Sequence, residues 1–128
     1  MRTVFVCPHG AAKSVIAAEF FRSMAADRGL SVQAQAFGVE PDPEIPAPVL
    51  EGLRRDGLEI AARQPEEPDP NSLAEADLVV LIGCELIDTQ ASSGVVVRWD
   101  GVPAVSDGYD AARTAIVERV EQLLRSLA

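Results

Sequence analysis

Eight consecutive residues, Cys7-Pro8-His9-Gly10-Ala11-Ala12-Lys13-Ser14, put a thiol, an imidazole, an ammonium group and a hydroxyl in one short stretch. A β-branched run, Thr3-Val4-Phe5-Val6, precedes it, and an amphipathic segment with helical spacing follows. A strand, a loop of small residues and a helix N-terminus make an anion site, because backbone N–H groups converge at the positive end of the helix dipole. Pro8, His9, Gly10, Ala11, Ala12, Lys13 and Ser14 are therefore the expected anion cradle. Cys7 stands at its first position, where a thiolate could attack a bound electrophile from below. Lys13 offers a cation and Ser14 a hydroxyl to steady the charge. The other basic residues are ten arginines, which sets the single lysine apart. His9, the one histidine, suits an exposed loop position as well as a ligand contact. One His and two Cys without paired spacing make no zinc site.

The elements that must hold this loop are legible from periodicity. Residues 2–6 read as a buried strand, and Ser14 to about Arg28 as a helix with Val15, Ala18, Phe21 (or Phe20), Met24 and Ala25 on one face and Gly29 as its stop. Residues 31–37 alternate polar and apolar like a half-exposed strand. Residues 40–48, with four prolines among acids, read as a loop, and residues 47–56 as a short helix closed by Gly57. Leu58-Glu59-Ile60 is extended or turn-like, residues 64–70 form a second loop, and Asn71 or Ser72 caps a short helix before Asp77. Leu78-Val79-Val80-Leu81-Ile82 reads as a fully buried parallel strand closed by Gly83-Cys84. Residues 86–94 are a polar connector. Val95-Val96-Val97 is a fourth strand ending at Arg98-Trp99-Asp100-Gly101, with Trp99 a packing residue or a wall of the cleft. Ser106 or Asp107 caps a final helix striped by Tyr109, Ala112, Ile116, Val120, Leu123 (or Leu124) and Leu127. This alternation implies a parallel sheet with helices on both faces and ligands beyond the C-terminal strand ends. The Cys7–Ser14 loop, Cys84 and Asp100 all fall at such ends.

Composition narrows the partners. At 128 residues the chain is expected to be a single domain, residues 1–128. A net charge of −9 argues against nucleic acid and against an anionic membrane surface. No apolar run approaches the ~18 residues of a membrane span, and no signal peptide is evident. Two cysteines do not make a disulfide scaffold, so a cytoplasmic location is expected.

Val4-Phe5-Val6-Cys7, a five-residue gap, a basic residue and Ser14 at a helix start resemble the low-molecular-weight protein tyrosine phosphatases and their relatives, the thioredoxin-coupled arsenate reductases. Ala18-Glu19, Gly38, Gly57-Leu58-Glu59-Ile60 and Ala76-Asp77-Leu78-Val79-Val80 extend the resemblance along nearly the whole chain. It implies a three-layer α/β, phosphotyrosine phosphatase I-like fold with a four-stranded parallel sheet in the order 2-1-3-4. It also implies hydrolysis of phosphomonoesters, of protein phosphotyrosine or small aryl phosphates, through a phosphocysteine on Cys7. Lys13 and the loop amides would hold the oxyanion, Ser14 would stabilise the thiolate, and Asp100 would protonate the leaving group, with Asp107 as its rival. No cofactor is required. Lys13 replaces the family's arginine and Gly10 its asparagine, so activity is expected to be weakened. In the reductase branch Cys84 would be the redox partner of Cys7. A catalytically silent oxyanion- or phosphoprotein-binding module is the third reading. The partners implied are phosphate, arsenate or sulfate in the loop, and a phosphoprotein or thioredoxin outside it.

Overall fold

The computed structural model describes residues 1–58, 60, 63–85 and 94–127. Four strands, β1 (Arg2–Cys7), β2 (Gln33–Gly38), β3 (Leu78–Ile82) and β4 (Val95–Trp99), form one sheet in the order β2-β1-β3-β4. Every pairing is parallel, with Cys7 opposite Gly38, Val6 opposite Leu81 and Ile82 opposite Trp99. The helices are α1 (Lys13–Asp27), α2 (Ala47–Arg55), α3 (Pro70–Glu75) and α4 (Tyr109–Leu127), with a 3-10 turn at Val105–Asp107. The expected three-layer α/β architecture and strand order are those observed.

The central strands β1 and β3 carry apolar side chains on both faces because both faces are covered. On one face Phe5, Val80 and Ile82 pack with Val15, Ala18 and Phe21 of α1, Val49 and Leu53 of α2, and Ile116, Val120 and Leu124 of α4. On the other, Val4, Val6, Val79 and Leu81 pack with Phe37 and with Leu73 of α3. Trp99 is buried, its ring 5.8 Å from that of Phe5, so it is a packing residue. Tyr109 anchors α4, donating its hydroxyl to Asp56 Oδ2 at 2.8 Å, beside Gly52, where an added Cβ would come within 2.5 Å of the ring.

Several element ends shift by one or two residues from the sequence reading, and three departures are larger or have a plain cause. The cap of α3 is Asp69, whose carboxylate accepts the Asn71 N–H at 3.1 Å, and not Asn71 or Ser72. Pro70 occupies the first helical position, where its missing N–H is harmless, so the capping side chain has to precede it. Ser106 and Asp107 lie in the 3-10 turn, with Gly108 between them and α4. The fourth strand runs on through Arg98 and Trp99, because the ladder to β3 continues to Ile82. Glu59 and the connector 86–93 lie outside the described residues.

Candidate functional site

Cys7 ends β1 with its side chain buried, and its sulfur is surrounded by donors. Sγ lies 3.1 Å from Oγ of the fully buried Ser14, and the Gly10 backbone N–H donates to it at 3.2 Å. A thiol can donate to the hydroxyl. Once the sulfur is negative the hydroxyl turns and donates to it, so both neighbours solvate a thiolate. The flanking residue of α1 is Ala12, which has no capping side chain, and the first turn holds no acid. The first-turn N–H groups are thus left for an anion.

The loop is rigid for a reason that side chains do not reveal. Gly10 has φ +64°, and a Cβ there would stand 2.5 Å from the Gly38 nitrogen. The loop backbone therefore lies directly on the end of β2. Three bonds tie it down: Val39 N–H to the Cys7 carbonyl (3.1 Å), Glu40 N–H to that of Pro8 (2.8 Å) and Asp42 N–H to that of His9 (3.0 Å). These continue the β1–β2 ladder past Cys7 and clamp residues 7–9. Gly10 trades a pinning side chain for close backbone approach.

A cleft of about 450 Å³ opens over the loop, lined by Cys7, Pro8, His9, Ala11, Ala12, Lys13, Asp42, Pro46, Pro48, Ala104, Val105 and Ser106. The structure thus brings Cys7, His9 and Lys13 together as the sequence suggested, with Ser14 buried beneath them. It does not bring Asp100 there: that residue is exposed beyond β4, its carbonyl accepting a hydrogen bond from Arg119 at 2.8 Å. Asp107 is exposed and also absent from the lining. The wall formed by residues 104–106 carries no carboxylate. Asp42 is the acid in the cleft, 3.6 Å from His9 Nδ1. Sequence reasoning passed over it as part of a solvated Pro-rich loop. The signal was its place just after the strand that pairs with β1, at the same sheet edge as Cys7.

Cys84 follows β3, and its thiol donates to the Val6 carbonyl at 3.4 Å. It packs with Val4, Val6, Val79 and Leu81 on one face of the sheet, whereas Cys7 belongs to the cluster on the other. Both thiols are free. Burial, and next the nearby Cys7 charge, push the Cys84 thiol up to about 11. Lys13 acts against this shift, and its Nζ sits 3.9 Å from where a Cβ on Gly83 would be. No group of three or more metal-ligating side chains occurs among the described residues, and no helix there is long and apolar enough to cross a membrane.

A parallel β2-β1-β3-β4 sheet with a cysteine loop between the first strand and first helix defines a class of oxyanion-handling α/β proteins. The chain matches the low molecular weight phosphotyrosine protein phosphatase family over residues 2–128 and belongs to it. An arsenate reductase from Archaeoglobus fulgidus is 31% identical, with 94% of this chain and 97% of that one covered and a TM-score of 0.76. The thioredoxin-dependent arsenate reductase of Corynebacterium glutamicum is 24% identical with a TM-score of 0.76; the match covers 98% of this chain but 60% of that longer one. A low molecular weight protein tyrosine phosphatase from Bacillus subtilis is 20% identical over 99% of this chain and 97% of its own, with a TM-score of 0.78. The last two likenesses concern the fold alone. Phosphatases and arsenate reductases thus both stand among its structural neighbours.

Proposed function

We propose that this chain is a cysteine-dependent phosphomonoester hydrolase. The observation that carries this reading is the sulfur of Cys7, held between Ser14 and the Gly10 N–H on the floor of a cleft at an uncapped helix N-terminus. The Cys7 thiolate attacks phosphorus, the loop amides and Lys13 hold the phosphoryl oxygens, and Ser14 stabilises the sulfur as it leaves. Water then hydrolyses the phosphocysteine. Among the described residues no Phe, Tyr or Trp lines the cleft, Trp99 and Tyr109 being engaged elsewhere, which favours small or flexible phosphomonoesters over a stacked phosphotyrosine ring.

A second reading is a thiol redox enzyme acting on arsenate through Cys7 and Cys84, recycled by thioredoxin. The 31% identity to an arsenate reductase favours it. An arsenate reductase solved in the phosphate-binding state, 19% identical with a TM-score of 0.75, has the same fold, consistent with one loop serving either oxyanion. A silent oxyanion- or phosphoprotein-binding module is the remaining alternative. One set of assays separates them. Turnover of p-nitrophenyl phosphate that falls at least ~10³-fold in Cys7→Ser supports the hydrolase. Arsenate-dependent oxidation of thioredoxin, lost in Cys84→Ser, supports the reductase. Phosphate binding without either turnover supports the module.

A further inference from the structure

The cleft over Cys7 holds a thiol, a cation and a floor of loop amides, yet its 104–106 wall offers no carboxyl proton to a leaving group. Cys7, His9, Lys13 and Asp42 are its titratable side chains among the described residues. Lys13 is committed to the oxyanion in the proposed reaction, and Asp42 points at His9. His9 Nδ1 lies 3.2 Å from the Glu40 carbonyl oxygen and 3.6 Å from Asp42 Oδ1. A carbonyl only accepts, so Nδ1 carries a hydrogen, and the neighbouring carboxylate holds the ring in that orientation. Nε2 is then the atom left for chemistry. The backbone beneath is fixed as well, by Glu40 N–H to the Pro8 carbonyl and Asp42 N–H to that of His9.

We infer that His9, oriented by Asp42 and the Glu40 carbonyl, is the proton donor to the leaving group in this chain, in place of a carboxylate from the segment after β4. This rests on the hydrolase reading. The Cys7 thiolate forms a bond to phosphorus. The P–O ester bond breaks with its electron pair on the leaving oxygen, which takes the Nε2 proton. In the second step Nε2 takes a proton from water as the water oxygen attacks phosphorus. The P–S bond breaks, phosphate leaves, and thiolate and imidazolium are restored.

The groups facing the ring come from three elements. Asp42 and Glu40 follow β2, Cys7 and Lys13 belong to the loop and α1, and Cys84 and Glu85 follow β3 around a smaller cavity that His9 also lines. Glu85 is itself paired with Arg98 at 2.8 and 2.9 Å, so Asp42 is the carboxylate set beside the ring.

The test compares His9→Gln and Asp42→Asn with wild type on two substrates. Phenyl phosphate has a basic leaving oxygen that needs a proton, and p-nitrophenyl phosphate has a weakly basic one. His9→Gln is expected to lower kcat for phenyl phosphate by ~10² or more, the usual contribution of a general acid, and for p-nitrophenyl phosphate by less than ~10-fold. The fall of kcat with rising pH on phenyl phosphate should vanish in His9→Gln and persist in Asp42→Asn at a lower rate. Equal losses on both substrates, or none, in a His9→Gln protein with unchanged Tm would overturn the inference. So would a leaving-group-dependent loss in Asp107→Asn or Asp100→Asn with none in His9→Gln. Absence of any Cys7-dependent turnover would overturn the hydrolase reading and this inference together, whereas Cys7-dependent turnover indifferent to His9 removes only the inference.

Discussion

In the proposed reaction Lys13 is the cation that holds the oxyanion. Its ammonium is a compact point charge without the planar fork of arginine, and it reaches over the end of β3 toward Gly83. Removing that charge in Lys13→Gln is expected to weaken phosphate binding by ~10-fold or more, the scale of one charge-assisted hydrogen bond, as calorimetric titration would show. Cys84 makes a second residue-scale prediction. Its thiol is held up to about 11 against an ordinary 9.0, chiefly by burial, so the folded protein keeps a proton that the unfolded chain releases. The unfolded state binds fewer protons across that window, so stability falls as pH rises from about 9 to about 11. Tyr109, raised by burial and by its bond to Asp56, acts in the same direction at the alkaline end. Denaturant midpoints measured across this range should fall less steeply in Cys84→Ala than in wild type.

At the scale of elements, the site depends on two backbones in contact. A Cβ on Gly38 would lie 2.3 Å from the Gly10 nitrogen, and one on Gly10 would lie 2.5 Å from the Gly38 nitrogen. Gly10→Ala adds the cost of a left-handed φ to that clash, and Gly38→Ala carries the clash alone. Each is expected to cost about 2–4 kcal/mol in denaturant unfolding and to lower turnover further by displacing Cys7 from Ser14. Helix α2 meets α4 through a different device. Gly52 lets the Tyr109 ring approach, and the Tyr109 hydroxyl closes on Asp56, which also lies 3.8 Å from Arg113. Tyr109→Phe should cost about 1 kcal/mol, readable from the same unfolding curves, with little effect on phosphate binding.

The whole molecule carries nine net negative charges yet presents its anion cradle at one end of the sheet. Binding there has to rely on local donors, because the long-range field opposes an incoming dianion. A ligand held by the folded state alone raises its stability. Phosphate at about ten times its Kd contributes about 1.4 kcal/mol, or roughly 5 °C in Tm for a domain of this size. Thermal melts with and without phosphate should show that rise in wild type and a smaller one in Lys13→Gln at the same concentration.

Local pattern alone determined the strand-loop-helix around Cys7, the buried strand at Leu78–Ile82 and the striped final helix, because each rests on apolar spacing within one continuous stretch of chain. The thiol of Cys7, the ammonium of Lys13 and the buried hydroxyl of Ser14 were legible for the same reason: they lie in one continuous loop. Tertiary structure decided the rest, since it joins residues that the chain keeps far apart. The contact of Gly10 with Gly38, the reach of Asp42 and the Glu40 carbonyl to His9, and the wall of residues 104–106 come from separate segments meeting at one sheet edge. Counting along the chain placed a carboxylate, Asp100, after the fourth strand. The path of the chain beyond Trp99 turns it to solvent and brings Ala104, Val105 and Ser106 to the cleft instead.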